Sequence, residues 1–205
     1  MPRLQEFDTE VVVSAVRDVF WDKGYEETSV PDLERATGLN RSSLYNAFGS
    51  KRGLFDAAVQ DYLDRIVRPR LRILTGEPTP VDAAVRYYRS LSAALGALPD
   101  ESSRGCLLLN SAAGFAAHDD AQRAVVDAYR SELAAALAHA LRALDPSSSP
   151  ADLDRRTRIL SALSISALLL SRVNRSEAVA LAEAAIDQLG EWAPAQSYAD
   201  VSPEP

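Results

Sequence analysis

The chain has 205 residues, 47% of them apolar, which is enough to build a sizeable folded core. Its formal net charge of −7 argues against a protein that coats nucleic acid regardless of sequence, although a small basic face could still dock on a specific site. The single cysteine, Cys106, excludes an intramolecular disulfide framework, and the only two histidines, His118 and His139, have no metal-ligand spacing around them.

Strand signals are missing: β-branched runs with period-two alternation do not occur, and Ala, Leu, Arg and Glu dominate. The expected class is all-α with about nine helices. A first helix over 9–23 carries an apolar stripe of Val12, Ala15, Val16, Val19 and Phe20, with Asp8 or Thr9 as cap and Gly24 as terminator. Ser29 then caps a helix over 30–37, with Pro31 in its first turn, where a missing N–H costs nothing. Gly38 supplies the left-handed conformation of a sharp turn, and Asn40 caps a helix over 41–48. Gly49 and Ser50 break the chain again before a fourth helix over 51–67 that opens on Lys51 and Arg52.

Residues 28–55 therefore read as two short helices hinged on a glycine. Val30, Leu33, Leu39, Leu44 and Phe48 face inward, and Arg41, Ser42, Ser43, Tyr45 and Asn46 are left outside. That is the layout of a helix-turn-helix, whose second helix enters the major groove of DNA. From Gly38 to Gly53 there are three basic side chains and no acidic one, whereas residues 1–53 as a whole hold seven Lys and Arg against nine Asp and Glu. Arg41, Ser42 and Asn46 are the candidates for base edges, since Arg pairs bidentately with guanine and Asn with adenine.

At Phe20, Gly24, Tyr25 and Thr28, and in the blocks Leu44-Tyr45, Phe48-Gly49-Ser50-Lys51 and Leu54-Phe55, the sequence resembles the TetR (tetracycline-repressor-like) family of bacterial transcription regulators. The resemblance implies phosphate contacts at Thr28, Ser43, Tyr45 and Lys51, to which hydroxyls and a helix N-terminus are suited. It also implies an N-terminal helix-turn-helix domain over 1–50, a connecting helix over 51–67, and a C-terminal ligand-binding and dimerisation domain over 68–192. One position departs from the pattern: Glu34 stands where such motifs place a small alanine. Its carboxylate must either splay the two motif helices or turn away from their contact.

Pro69 and the stretch 75–80 mark the break between domains. Further helices are expected near 80–97, 105–116, 119–144, 151–173 and 175–192, followed by a disordered tail from Ala193. The last two helices are apolar on more than one face (Leu163, Ile165, Leu169; Val179, Ile186), which suggests a homodimer formed through them. A mostly apolar pocket for a small-molecule inducer would draw on Tyr87, Tyr88, Leu91, Cys106, Asn110, Phe115, Tyr129, Leu133 and Arg172. Cys106, next to Gly105 at a helix start, is either a small buried residue or, as in some members of the family, a sensor of electrophiles or oxidants.

No nucleophile elbow, phosphate loop or dinucleotide fingerprint occurs, so neither an enzyme nor a cofactor is expected. The N-terminus lacks the apolar core of a signal peptide and no stretch is long enough to span a bilayer, which points to the cytoplasm and away from membranes. The function expected is a ligand-responsive repressor released from a near-palindromic double-stranded DNA operator. The alternatives are a thiol-switch regulator acting through Cys106 and a helical interaction protein that has lost operator binding.

Overall fold

The computed structural model describes residues 7–97, 104–112 and 114–194. The expected loop at 98–103 and the tail beyond Pro194 lie outside the described residues. The architecture is all-α, with an N-terminal helix-turn-helix followed by a larger helical portion. The helices are α1 (Thr9–Lys23), α2 (Val30–Thr37), α3 (Arg41–Phe48), α4 (Lys51–Tyr62), α5 (Arg68–Thr75), α6 (Ala83–Gly96), α7 (Leu107–Ala112), α8 (Asp120–Leu144), α9 (Pro150–Leu170) and α10 (Arg175–Trp192). A π-helical turn, Leu63–Val67, joins α4 and α5 into one run; counting that run once gives nine helices among the described residues.

Caps and glycines set the first boundaries as the sequence indicates. Asp8 accepts the backbone N–H groups of Glu10 and Val11, Asn40 that of Ser43, and Ser50 that of Gly53. Gly38 has φ 70°, the left-handed conformation that lets α2 turn sharply into α3.

Two expectations fail. The fourth helix does not stop before Pro69, because the chain stays helical to Thr75. A proline ring crowds the carbonyl four residues back. Here the wider turn at Leu63–Val67, in which the Arg68 N–H donates to the Leu63 carbonyl, gives that ring room. The helix expected over 105–116 is also shorter. α7 ends at Ala112, and Gly114 leads into a 3₁₀ turn, Phe115–His118, that turns Phe115 toward an aromatic cluster.

The chain forms two compact units. The first comprises the residues up to Arg68 together with Cys106–Arg123. Its core holds Val16, Phe20, Leu33, Leu44, Leu54, Phe55, Ala58 and Leu108, all fully buried. Arg17 and Asp61, both nearly buried, form an ion pair at 2.7 Å that fastens α1 to α4. The second unit comprises Pro69–Gly105 and the residues from Ala124 onward. There α10 packs on α6 and α9 and buries Ala178, Ala182, Ala185 and Leu189, the alanines small enough to let helices approach closely. Among the described residues, no helix is long and apolar enough to cross a membrane.

Candidate nucleic-acid interface

The motif is held from inside by Leu33 and Leu44, both with no exposed surface. With Leu44 fixed inward, the helical period sends Arg41, Ser42 and Asn46 outward, and all three are exposed. Ser43 and Tyr45 are half-buried at the edges of that face, and the Arg41 guanidinium lies 5.0 Å from the centre of the Tyr45 ring one turn on. Base-edge candidates and two expected phosphate contacts thus share α3.

The other two expected phosphate contacts are placed differently. Thr28 is buried, and its hydroxyl donates to the Gly24 carbonyl at 2.6 Å, closing the turn between α1 and α2. Lys51 is half-buried, with Nζ 4.6 Å from the centre of the Tyr25 ring and donating to the Glu26 carbonyl at 3.5 Å. Burial holds its ammonium below the ordinary lysine value and raises the Tyr25 phenol above its own.

Most positive charge on this unit is already matched. Lys23 and Arg35 both engage Asp32, Arg17 engages Asp18 and Asp61, and Arg52 engages Asp56 and Asp119. Arg41 and Lys51 form no ion pair among the described residues, so their charge is the part left for an anionic partner. Asp32 also completes a capping box with Ser29, which the Ser-x-x-acid spacing announces but the motif reading passes over. Hydrogen bonds from Lys23 and Ser29 hold its carboxyl well below the usual range.

Glu34 turns its carboxylate to the start of α3. Its Oε1 accepts the backbone N–H of Arg41 at 2.6 Å, capping the start of α3 from α2. Gly53 is a second residue the sequence reading does not single out. A Cβ there would collide with the Phe48 carbonyl, so glycine permits α4 to begin against the end of α3. A glycine in the first turn of a helix, where no left-handed angle is needed, is the available signal for such an approach.

The expected ligand residues divide between the units. Tyr87, Tyr88, Leu91, Tyr129 and Leu133 are buried in the second, where the Tyr88 hydroxyl donates to the Leu160 carbonyl at 2.6 Å and meets Ser164 Oγ at 2.8 Å. Arg172 is exposed. Cys106, Asn110 and Phe115 belong to the first unit. Phe115 stacks on Tyr25 with centroids 4.0 Å apart and meets Phe55 edge-on at 5.6 Å, while Arg52 lies 4.9 Å above its ring. Cys106 is fully buried, which leaves the thiol-switch alternative unfavoured.

Residues 12–58 match the model of the bacterial regulatory proteins of the tetR family. Across 95% of the chain the fold matches all of a cysteine mutant of the TetR family transcriptional regulator CifR complexed with 26-base-pair double-strand operator DNA, at 27% identity and a TM-score of 0.75. The N-terminal segment is thus similar to the DNA-binding domain of the tetR family, and the described fold is similar to that of a TetR-family regulator. Similar curated proteins include the uncharacterized HTH-type transcriptional regulator YezE of Bacillus subtilis, 38% identical over 58% of this chain and 60% of that protein. Another is the HTH-type transcriptional repressor ComR of Escherichia coli, 33% identical over 53% of this chain and 51% of that protein. The chain thus spans between half and two thirds of the length of these two relatives.

Proposed function

We propose that this chain is a DNA-binding transcription regulator of the TetR family, not an enzyme, and that it acts in the cytoplasm as a homodimeric repressor released by a small molecule. The observation that carries the DNA reading is the exposed row Arg41, Ser42 and Asn46 on a helix anchored by fully buried Leu44. Arg41, Ser42 and Asn46 read base edges, while Ser43, Tyr45 and Lys51 meet phosphates. Thr28 serves the turn instead.

Pairing is supported by α9. One face of it is buried inside the chain through Leu160, Ser164, Ala167 and Leu168, yet Leu169 is 44% exposed and Val173, just beyond the helix, 84% exposed. A second copy covering Ile165, Leu169 and Val173 would bury this remaining apolar face and bring two α3 helices into one complex, as a near-palindromic operator requires. Release by a ligand is supported by the hydroxyls of Thr157 and Ser161, which are buried without a hydrogen-bond partner and lie on the α9 face that carries Ser164. A bound molecule with polar groups would satisfy them. The chain passes between the two units at Arg68/Pro69, Gly105/Cys106 and Arg123/Ala124.

The test is fluorescence anisotropy with duplex fragments flanking the protein's own gene. Substituting Arg41 and Lys51 together by alanine should abolish the specific complex; unchanged affinity would leave the helical interaction protein as the better reading.

A further inference from the structure

Glu34 has a consequence beyond the fold. α3 begins with backbone N–H groups that have no partner inside the helix, and such groups attract anions. Two of the first three are satisfied by side chains of this chain: Arg41 N–H by Glu34 Oε1 at 2.6 Å and Ser43 N–H by Asn40 Oδ1 at 2.9 Å. Asn40 is neutral, whereas Glu34 brings a full negative charge. It brings it to a surface where Arg41 and Lys51 carry positive charge outside any ion pair among the described residues.

We infer that Glu34 is a positioning and specificity-determining residue for DNA reading, an internal anion that occupies the start of the recognition helix and keeps a DNA phosphate from anchoring there. This rests on the DNA-binding role proposed above. The physical logic is subtractive. A phosphate bound at the start of α3 contributes affinity for any duplex and draws the helix toward the backbone. Glu34 blocks that sequence-blind contact and repels nearby phosphates, while its hydrogen bond fixes the N-terminus of α3 to α2. Arg41, whose guanidinium leans over Tyr45, then remains directed to base edges.

Glu34→Gln keeps an oxygen that can accept the Arg41 N–H but removes the charge; Glu34→Ala removes both. The full-length proteins are titrated with the duplex best bound by wild type and with a scrambled duplex, from about 50 to 200 mM salt, the range over which phosphate contacts dominate the salt response. For Glu34→Gln, binding to scrambled duplex should tighten roughly threefold to tenfold, as expected for removing one charge beside the phosphate backbone in each subunit of a dimer. The slope of log affinity against log salt should steepen by about one to two, and the preference for the best duplex should fall. The thermal midpoint of this variant should stay at the wild-type value, because the acceptor is retained; a purely structural role for Glu34 would leave the salt slope unmoved. Glu34→Ala should gain the same slope with a lowered midpoint. An unchanged slope and preference in Glu34→Gln overturns the inference while leaving DNA binding intact. Failure of the wild type to bind any duplex overturns both together.

Discussion

Replacing Phe115 by alanine tests whether the segment Cys106–Arg123 is part of the DNA-reading unit. The ring stacks on Tyr25 at 4.0 Å, meets Phe55 edge-on at 5.6 Å and lies under Arg52 at 4.9 Å. Aromatic pairs contribute about 0.5–1.5 kcal/mol each beyond their buried area, and a cation over a half-buried ring about 0.5–1 kcal/mol. Phe115 is only partly buried, so the loss should fall short of the roughly 3–5 kcal/mol of a fully buried Phe-to-Ala change, and about 2–3 kcal/mol is expected. In native-state hydrogen exchange this corresponds to opening about 30-fold to 150-fold more often, seen in peptides covering the end of α1 and the start of α4. Phe115→Leu, which keeps apolar volume but loses ring geometry, should fall between. Protection in those two regions within about twofold of wild type would show that Phe115 contributes nothing to the unit.

Other expectations concern the base contacts, the dimer, a glycine and acid. Arg41→Ala should lose about 1–3 kcal/mol of discrimination at a single base pair of the preferred duplex, read by competition with single-base variants. Leu169→Glu should convert the proposed dimer into monomers of unchanged helical content by light scattering, because it places a charge on an exposed apolar face; a persistent dimer would relocate the interface. Gly53→Ala should destabilise the first unit by about 1–3 kcal/mol in urea unfolding, because the Phe48 carbonyl must move to admit a Cβ. The Arg52 hydrogen bond holds the Asp119 carboxyl below its ordinary value, so its stabilising contribution is complete above the unfolded value and is lost as pH falls through the lower folded one. Asp119→Asn should therefore flatten the decline in thermal midpoint below about pH 4, where the wild type loses this contribution.

The early helices were legible because their boundaries are local chemistry. Asp8, Ser29, Asn40 and Ser50 cap, Gly38 turns, and Leu33 and Leu44 mark the inward face without reference to anything distant. Pro69 misled because its effect was offset by a π turn at Leu63–Val67, a feature of backbone hydrogen bonding without a composition signal. The placement of Phe115 was equally hidden: its partners Tyr25 and Phe55 are remote in sequence, and an apolar ring beside a glycine suits a ligand pocket as well as an aromatic cluster. At the site itself, the outward row of α3 followed from helical period. The buried hydroxyl of Thr28 and the cap from Glu34 depended on tertiary geometry that no spacing rule encodes.

Selection of bound duplexes from a random library by the full-length protein is the plainest test of DNA reading by paired α3 helices. Enrichment of two inverted half-sites with centres about one helical turn apart, lost when Arg41 and Asn46 are both replaced by alanine, is the expected result. No enrichment, or an unchanged motif from the double variant, would contradict it.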